Sequence, residues 1–207
     1  MKIGIGIISW NRPKYLKQLI NSLENNNLKD CDFYLFQDGY TCKFTNKEVA
    51  NPKNISDSIK VFHDSKLPNK NYHIRDKNVS IAINQFEAMN FLSLHYNKFI
   101  FLENDVIVSP NFIAVMKKLL NQFEKDKRVA CISPSFRLHC KPNKIKENLN
   151  RLFFKRGHFW AEACWAEKWI KITKEFIPYY NIVKNSPYRK RDEGAIKKLF
   201  SNSGIKM

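Results

Sequence analysis

The first 135 residues alternate between short apolar stretches typical of β-strands and segments with the apolar spacing of helices. The run IGIGIIS at residues 3–9 is followed by YLKQLINSL, whose apolar residues 16, 19, 20 and 23 share one helical face. Pro13 stands in the first turn, where its missing N–H costs little. This alternation predicts an α/β fold, with a mostly parallel central sheet flanked by helices.

The same alternation continues along the chain. We expect further strands in CDFYLFQDG, SIKVFHD, NYHIRD, KFIFLEND and VACISPS, and helices in SIAINQFEAMNFLSLHY and SPNFIAVMKKLLNQFEK. Ser80 is expected to cap the first of these two helices, and residues 40–58 read as a loop with at most one short helix. The last third is richer in aromatic and basic residues, and its segment DEGAIKKLF predicts a short amphipathic helix.

Length and composition indicate one packed domain, because the chain has 207 residues of which 43% are hydrophobic. No apolar run reaches the 18 or more residues of a membrane-spanning helix, and the apolar N-terminus is too short for a secretory signal. The five cysteines are scattered and form no CxxC pair. We therefore expect reduced thiols and a cytoplasmic protein.

Positive charge is the strongest bulk feature, with 36 Lys and Arg against 19 Asp and Glu, a net charge of +17. Three interpretations remain open: binding of nucleic acid, contact with the anionic inner face of a membrane, and the residue usage of an AT-rich genome. An enzyme that handles nucleoside diphosphates would also gain from a positive potential. No nucleic-acid-binding motif is recognisable, so no specific nucleic acid is expected.

Polar residues follow the predicted strands, at Ser9–Arg12, Gln37–Gly39, 75–78 and Glu103–Asp105. Ligands bind at the carboxyl ends of the strands in such sheets. Carboxylate oxygens there suit Mg²⁺ or Mn²⁺, which would neutralise a diphosphate leaving group. The alternative is that Asp105 only stabilises a turn.

Several segments resemble GT-A glycosyltransferases of the family-2-like plan. FIFLENDVIVSPNFIAVM resembles their DxD-bearing segment, closest to the N-acetylglucosaminyltransferase I group. SWNRPKYLKQLINSL, FQDG and NVSIAINQF resemble the opening strand and helix, the end of the second strand and the nucleotide-side helix. The resemblance implies a single GT-A catalytic domain over residues 1–207, with a nucleotide-binding half at 1–135 and an acceptor and donor-sugar half at 136–207.

Carried over to this chain, the resemblance implies a role for each matching residue. Asp105 would be the main metal ligand, for Mn²⁺ or Mg²⁺, and Glu103 would lie against the sugar or ribose. Asp38 would bind the base or ribose of a nucleotide-sugar donor, with a UDP-sugar favoured. The remaining nucleotide-pocket residues would be Ser9, Asn11, Arg12, Asn78 and Asn84. Asn104 departs from the acidic residue found in many relatives, which would weaken metal affinity.

A second acidic pair stands near the C-terminal end of the sequence. RDEGAIKKLFSNSGIK resembles the Glu-Asp motif of inverting GT-A enzymes, with the acidic order reversed. The resemblance implies that Glu193, or else Asp192, deprotonates the acceptor hydroxyl. The alternative is that both acids only favour a helix N-terminus through its dipole.

Aromatic residues lie between the two acidic sites, and the resemblance places them at the floor of the sugar pocket. Phe159, Trp160 and Trp165 could stack on sugar faces, although large aromatics more often belong to a core. His158 could reach a phosphate. A basic run, Arg189–Arg191, would hold diphosphate or remain a solvated loop.

The function implied is a metal-dependent, inverting transferase that moves a sugar from a nucleotide donor to a cell-surface glycan or lipid-linked acceptor. Three alternatives remain open: a sugar-1-phosphate nucleotidyltransferase, a basic nucleic-acid-binding module and a degenerate, non-catalytic transferase. The first loop, SWNRPKYL, lacks the glycines that the nucleotidyltransferase class normally has.

Overall fold

The computed structural model describes residues 2–134 and 160–202, which form a six-stranded sheet with helices on both faces. The strands are β1 Ile3–Ser9, β2 Cys31–Gln37, β3 Thr41–Cys42, β4 Lys70–Ile74, β5 Lys77–Asn78, β6 Lys98–Glu103, β7 Cys131–Ile132 and β8 Ala161–Trp165. The helices are α1 Pro13–Glu24, α2 Pro52–His63, α3 Ile81–His95, α4 Phe112–Gln122, α5 Ala166–Asn185 and α6 Glu193–Asn202, with a 3₁₀ turn at Tyr188–Lys190.

The strand order is β4-β2-β1-β6-β8-β7, while β3 and β5 form a separate two-stranded sheet. β1, β2, β4 and β6 are parallel, and β8 runs antiparallel to both β6 and β7. This mostly parallel α/β sheet confirms the predicted fold class. The carboxyl ends of the four parallel strands therefore meet at one edge of the sheet.

Two apolar layers cover the two faces of the sheet, because alternate strand residues point to opposite sides. One layer joins Ile3, Ile5 and Ile7 of β1 to α1, α2 and α4, and the other joins Phe99 and Phe101 of β6 to α3 and Trp169 of α5. A third, smaller cluster of Val79, Ile83 and Val183 connects α3 to α5 near the carboxyl edge.

Three local expectations were wrong. The segment SIKVFHD belongs to α2 and is not a strand, because Ile55, Ser58 and Phe62 are buried at helical spacing. Asn51 caps this helix through a 2.9 Å bond from the Lys53 N–H. Ser80 precedes α3 but makes no side-chain capping bond, and α4 begins at Phe112 rather than at Ser109.

Among the described residues, no helix combines the length and the apolar character needed to cross a membrane.

Candidate active site

The ends of β2, β1 and β6 lie side by side at the carboxyl edge of the sheet. Ser9 pairs with Gln37, and Ile8 pairs with Glu103. The end of β4 joins this edge, because the Arg75 N–H donates to the Gln37 carbonyl at 3.0 Å. The structure therefore brings together most of the residues that the sequence singled out, along this edge and beside the β1–α1 turn; we call the space that this edge and the turn border the crevice. Asn11 lies half-buried in that turn.

Asp38 is buried directly after β2, and both of its carboxylate oxygens accept hydrogen bonds from the chain. Oδ1 accepts from the N–H groups of Gly39 at 3.1 Å and Val79 at 2.9 Å. Oδ2 accepts from the Asn78 side chain at 2.8 Å and the Ser80 N–H at 3.2 Å. Burial raises the pKa of this carboxyl, while the backbone bonds oppose the rise. Asp38 thus anchors the start of α3 to β2, and its contact with a nucleotide stays a prediction.

Gly39 allows β2 and β5 to approach closely. A Cβ at this position would stand 2.6 Å from the Lys77 carbonyl carbon and 2.7 Å from its Cα. The Gly39 carbonyl accepts from the Trp10 indole N–H at 2.9 Å, which joins the β1–α1 turn to the same point. A side chain at position 39 would therefore displace the backbone of Lys77 and with it β5.

Asn84 lies inside the structure rather than on the crevice surface. Its side-chain N–H₂ donates to the Phe36 carbonyl at 3.0 Å, and its oxygen accepts from Arg75 Nε at 3.1 Å. Arg75 also pairs with Glu87 at 2.5 Å. Because both ends of the amide are engaged, Asn84 ties α3 to β2 and β4. Its predicted contact with a nucleotide has no support from this geometry.

Two carboxylates and one guanidinium meet at the end of β6. Glu103 is half-buried, and its pKa is raised by burial and by the charge of Asp105, with Arg12 acting in the opposite direction. Arg12 Nη1 donates to Asp105 Oδ2 at 2.9 Å. Arg12 comes from the β1–α1 turn, so this ion pair spans the crevice between the ends of two adjacent strands.

Three buried polar atoms at this edge have no hydrogen-bond partner among the described residues: Ser9 Oγ, Gln37 Oε1 and Asn104 Nδ2. The strand register places Ser9 opposite Gln37, with Asn104 following Glu103 on the neighbouring strand. A buried polar atom without a partner costs about 1–3 kcal/mol. Water or a bound polar ligand would satisfy these three atoms, which marks the edge as a place for polar groups.

The donor set at this edge fits a hard divalent cation in a limited way. No group of three His, Cys, Asp or Glu side chains suited to a metal occurs in residues 2–134 and 160–202. Mg²⁺ and Mn²⁺ do not require such a group, because they are commonly held by one or two carboxylates with water and substrate phosphates. Asp105 and Glu103 are the two carboxylates at this edge, and their role as metal ligands stays a prediction.

The C-terminal acidic pair opens α6, as expected from the sequence. Asp192 Oδ1 accepts from the Ala195 N–H at 2.9 Å, so this carboxylate caps the helix. Glu193 is exposed. α6 packs on α5 through Phe200, whose ring lies 5.8 Å from Tyr179. α5 in turn packs on α3, where Tyr180 stacks on Phe86 at 4.4 Å. Within the part of the chain that the structure describes, the contacts of α6 thus lead through α5 to α3.

The aromatic residues differ in their placement. Trp165 belongs to the core: it is 3% exposed, donates to the Leu120 carbonyl at 2.9 Å and lies under the Lys168 ammonium. Stacking on a sugar is therefore the wrong expectation for Trp165. Trp160 is 43% exposed beside the end of β6, where its carbonyl accepts from the Glu103 N–H. Phe159 and His158 lie outside the described residues, and Arg189 and Lys190 are exposed.

Glu162 is a buried carboxylate that the sequence analysis did not single out. It is 4% exposed on β8, opposite Phe101 of β6, and burial raises its pKa to about 7. The Cys131 thiol is its hydrogen-bonding neighbour. The available signal was an acidic residue between two alanines in the short strand AEACW.

No protein-family model matches the sequence, and no curated protein matches it. Solved structures do match. TarS 1–349 of S. aureus in complex with UDP aligns with 90% of this chain and 52% of its own, at 10% identity and a TM-score of 0.53. The galactosyltransferase LgtC in complex with donor and acceptor sugar analogues aligns with 96% of this chain and 70% of its own, at 14% identity and a TM-score of 0.46.

The glycosyltransferase GlyE of Streptococcus pneumoniae aligns with 98% of this chain and 44% of its own, at 14% identity and a TM-score of 0.45. This chain thus spans about half the length of TarS 1–349. At 10% identity the likeness to TarS shows a shared fold alone, and this agrees with the predicted GT-A-like fold. The narrower resemblance to the N-acetylglucosaminyltransferase I group stays a prediction.

Proposed function

We propose that this protein is a metal-dependent glycosyltransferase that uses a nucleotide-sugar donor, with a UDP-sugar favoured. The observation that carries the proposal is the meeting of Glu103 and Asp105 with Arg12 at the carboxyl edge of a GT-A-like sheet. This arrangement offers both a cation site and a guanidinium to a diphosphate. The match to TarS, whose structure holds UDP, agrees with this class of donor.

Each residue of the edge has a proposed role. Asp105, aided by Glu103, would hold Mn²⁺ or Mg²⁺, which would neutralise charge on the leaving diphosphate. Arg12 would bind the diphosphate, and Ser9 and Asn11 would border the nucleotide. Asp38 would act mainly by holding the 78–80 segment in place, with Asn78 at its surface.

The transfer is proposed to be inverting, with Glu193 as the base that deprotonates the acceptor hydroxyl. Asp192 is the weaker candidate because its carboxylate already caps α6. Glu193 is exposed at the first residue of the same helix.

The acceptor is proposed to be a cell-surface glycan precursor or a lipid-linked sugar. Peripheral contact with an anionic membrane would accompany a lipid-linked acceptor. The net charge of +17 supports this contact, since each basic residue near an anionic surface contributes about 1 kcal/mol.

Asp105→Ala tests the proposal. Release of UDP from UDP-sugars in Mn²⁺ should fall by at least the ~100-fold that loss of a supporting partner of a metal ligand can cause. Asp57→Ala, which removes a carboxylate on α2, is the matched control and should keep its activity. Thermal shifts with UDP-, GDP- and CMP-sugars, with and without Mn²⁺, would check folding and identify the base. Unchanged activity of Asp105→Ala, or no stabilisation by any nucleotide-sugar, would contradict the proposal.

A further inference from the structure

Arg12 is held in place on two sides. Its Nη1 bonds to Asp105 Oδ2 at 2.9 Å, and its guanidinium carbon lies 6.0 Å from the centre of the Tyr15 ring. The two contacts come from different parts of the chain, α1 and the end of β6. A guanidinium has five N–H donors in a planar fork that matches carboxylates and phosphates. Arg12 therefore has donors left for a second anion while it stays beside Asp105.

Arg12 pairs with the carboxylate that is proposed to bind the divalent cation. Asp105 is the carboxylate proposed to hold the metal, and Arg12 stands on one of its two oxygens. Arg12 also acts electrostatically on Glu103, the second carboxylate of the edge. Two negative charges and one positive charge thus share this corner. An added divalent cation would meet a site whose charge is partly neutralised and whose best ligand is engaged.

Nearby, Asn104 Nδ2 is buried without a partner among the described residues. It lies between the two carboxylates in sequence, on the segment that carries them. This donor is left for water or a bound polar ligand, and it lies on the same segment as the two carboxylates.

We infer that Arg12 is a built-in counter-ion that keeps Asp105 occupied until the diphosphate of a nucleotide draws the guanidinium away. This inference rests on the proposed function. Release of Asp105 then opens the carboxylate pair to the divalent cation. Binding of nucleotide and binding of metal are coupled through one side chain, and such coupling acts equally in both directions.

The test measures binding and not turnover. Free Mn²⁺ is followed by electron paramagnetic resonance with wild type, Arg12→Gln, Arg12→Lys and the matched control Lys17→Gln, which removes one exposed positive charge from α1, the helix that follows Arg12. Without nucleotide, Arg12→Gln should bind Mn²⁺ up to ~5-fold more tightly, the range of an exposed ion pair. Arg12→Lys should lie between it and wild type, and Lys17→Gln should match wild type.

A second measurement follows UDP binding in EDTA by calorimetry. Arg12→Gln should lower the affinity for UDP about 10-fold or more, because a charge-assisted hydrogen bond to the diphosphate is lost. Unchanged or weaker Mn²⁺ binding by Arg12→Gln, or no Mn²⁺ binding by any variant, would overturn the counter-ion. A UDP affinity that does not depend on Arg12, or the absence of metal-free UDP binding, would overturn its displacement by diphosphate. If binding behaves as expected but no UDP-sugar is turned over, the proposed function fails and the counter-ion stands.

Discussion

Ser80 has a backbone conformation that suits glycine, with φ at 81° and ψ at 158°. An L-residue in this region costs on the order of 1–3 kcal/mol and persists only where its surroundings hold it. The surroundings here are the hydrogen bonds that Asp38 accepts from Val79 and Ser80. The strain therefore lies where residues 79–80 are hydrogen-bonded to Asp38, directly after β2.

Replacing Ser80 with glycine should stabilise the protein by about 1 kcal/mol. The backbone N–H that Asp38 accepts is retained, and the strain of the Cβ is removed, while extra freedom of the unfolded chain offsets part of the gain. Urea unfolding measures the change. Ser56→Gly is the matched control. Because Ser56 lies inside α2, this substitution should lower the free energy of unfolding by about 0.5–1 kcal/mol. A loss of stability in Ser80→Gly would show that the serine side chain itself holds the turn.

Residue identity alone could place polar groups at the crevice but not their partners. Asp38, Glu103 and Asp105 follow predicted strands, so their position at the edge could be read from the sequence. The Asp38 carboxylate accepts hydrogen bonds from Val79 and Ser80, about 40 residues later, and these bonds depend on how β5 and α3 pack. The Arg12–Asp105 pair likewise joins residues 93 positions apart.

β8 carries an ionisable group inside the sheet, and this makes the stability of the strand depend on pH. The pKa of Glu162 rises from its ordinary 4.5 to about 7 in the folded protein because burial disfavours the charged form. The folded state therefore holds this proton more tightly than the unfolded state does. Stability is greatest below pH 4.5 as far as this group is concerned, and it is lost between about pH 4.5 and 7.

Glu162→Gln should remove that loss. At pH 8 the variant should be more stable than wild type by on the order of 3 kcal/mol, the free energy of the pKa shift. Below pH 5 the two should be similar. Urea unfolding between pH 5 and 8 is the measurement, and Glu175→Gln, at an exposed position of α5, is the control. Parallel pH profiles for wild type and Glu162→Gln would show that Glu162 finds a compensating partner.

Tertiary packing decides the conformation of two segments in which local preference points to a different structure. Residues 58–64 contain the β-branched pair Ile59 and Val61, which favours a strand locally, but burial of Ser58 and Phe62 on one face selects the helix. α5 runs for 20 residues through Pro178, where sequence alone suggests an interruption. Its packing on α3, through Tyr180 and Val183, outweighs that local preference.

At the scale of the whole molecule, excess positive charge opposes folding. A net charge of +17 repels itself more in the compact state than in the expanded chain. Added salt shortens the range of this repulsion, from about 30 Å at 0.01 M to about 8 Å at 0.15 M. The Tm should therefore rise by about 2–4 °C, the equivalent of about 1 kcal/mol, between low salt and 0.3 M NaCl.

Differential scanning calorimetry in a salt series, with sucrose of equal osmolality as control, would check this. A Tm that falls with salt would mean that ion pairs such as Lys98–Glu124 contribute more than the net repulsion does. The same net charge was visible in the sequence, and so was the α/β class. The sheet order was not, because nothing local indicates that β8 runs antiparallel between β6 and β7.

That strand order has a consequence for synthesis on the ribosome. One edge of β6 pairs with β1, which is synthesised before it. The other edge pairs with β8, so Lys98 has no strand partner on that side until Trp165 has been synthesised. The first half of the chain can collapse early while β6 keeps an open, apolar border. Such a border invites pairing with a neighbouring nascent chain. The protein is therefore exposed to misassembly during the interval in which residues 104–160 are being translated.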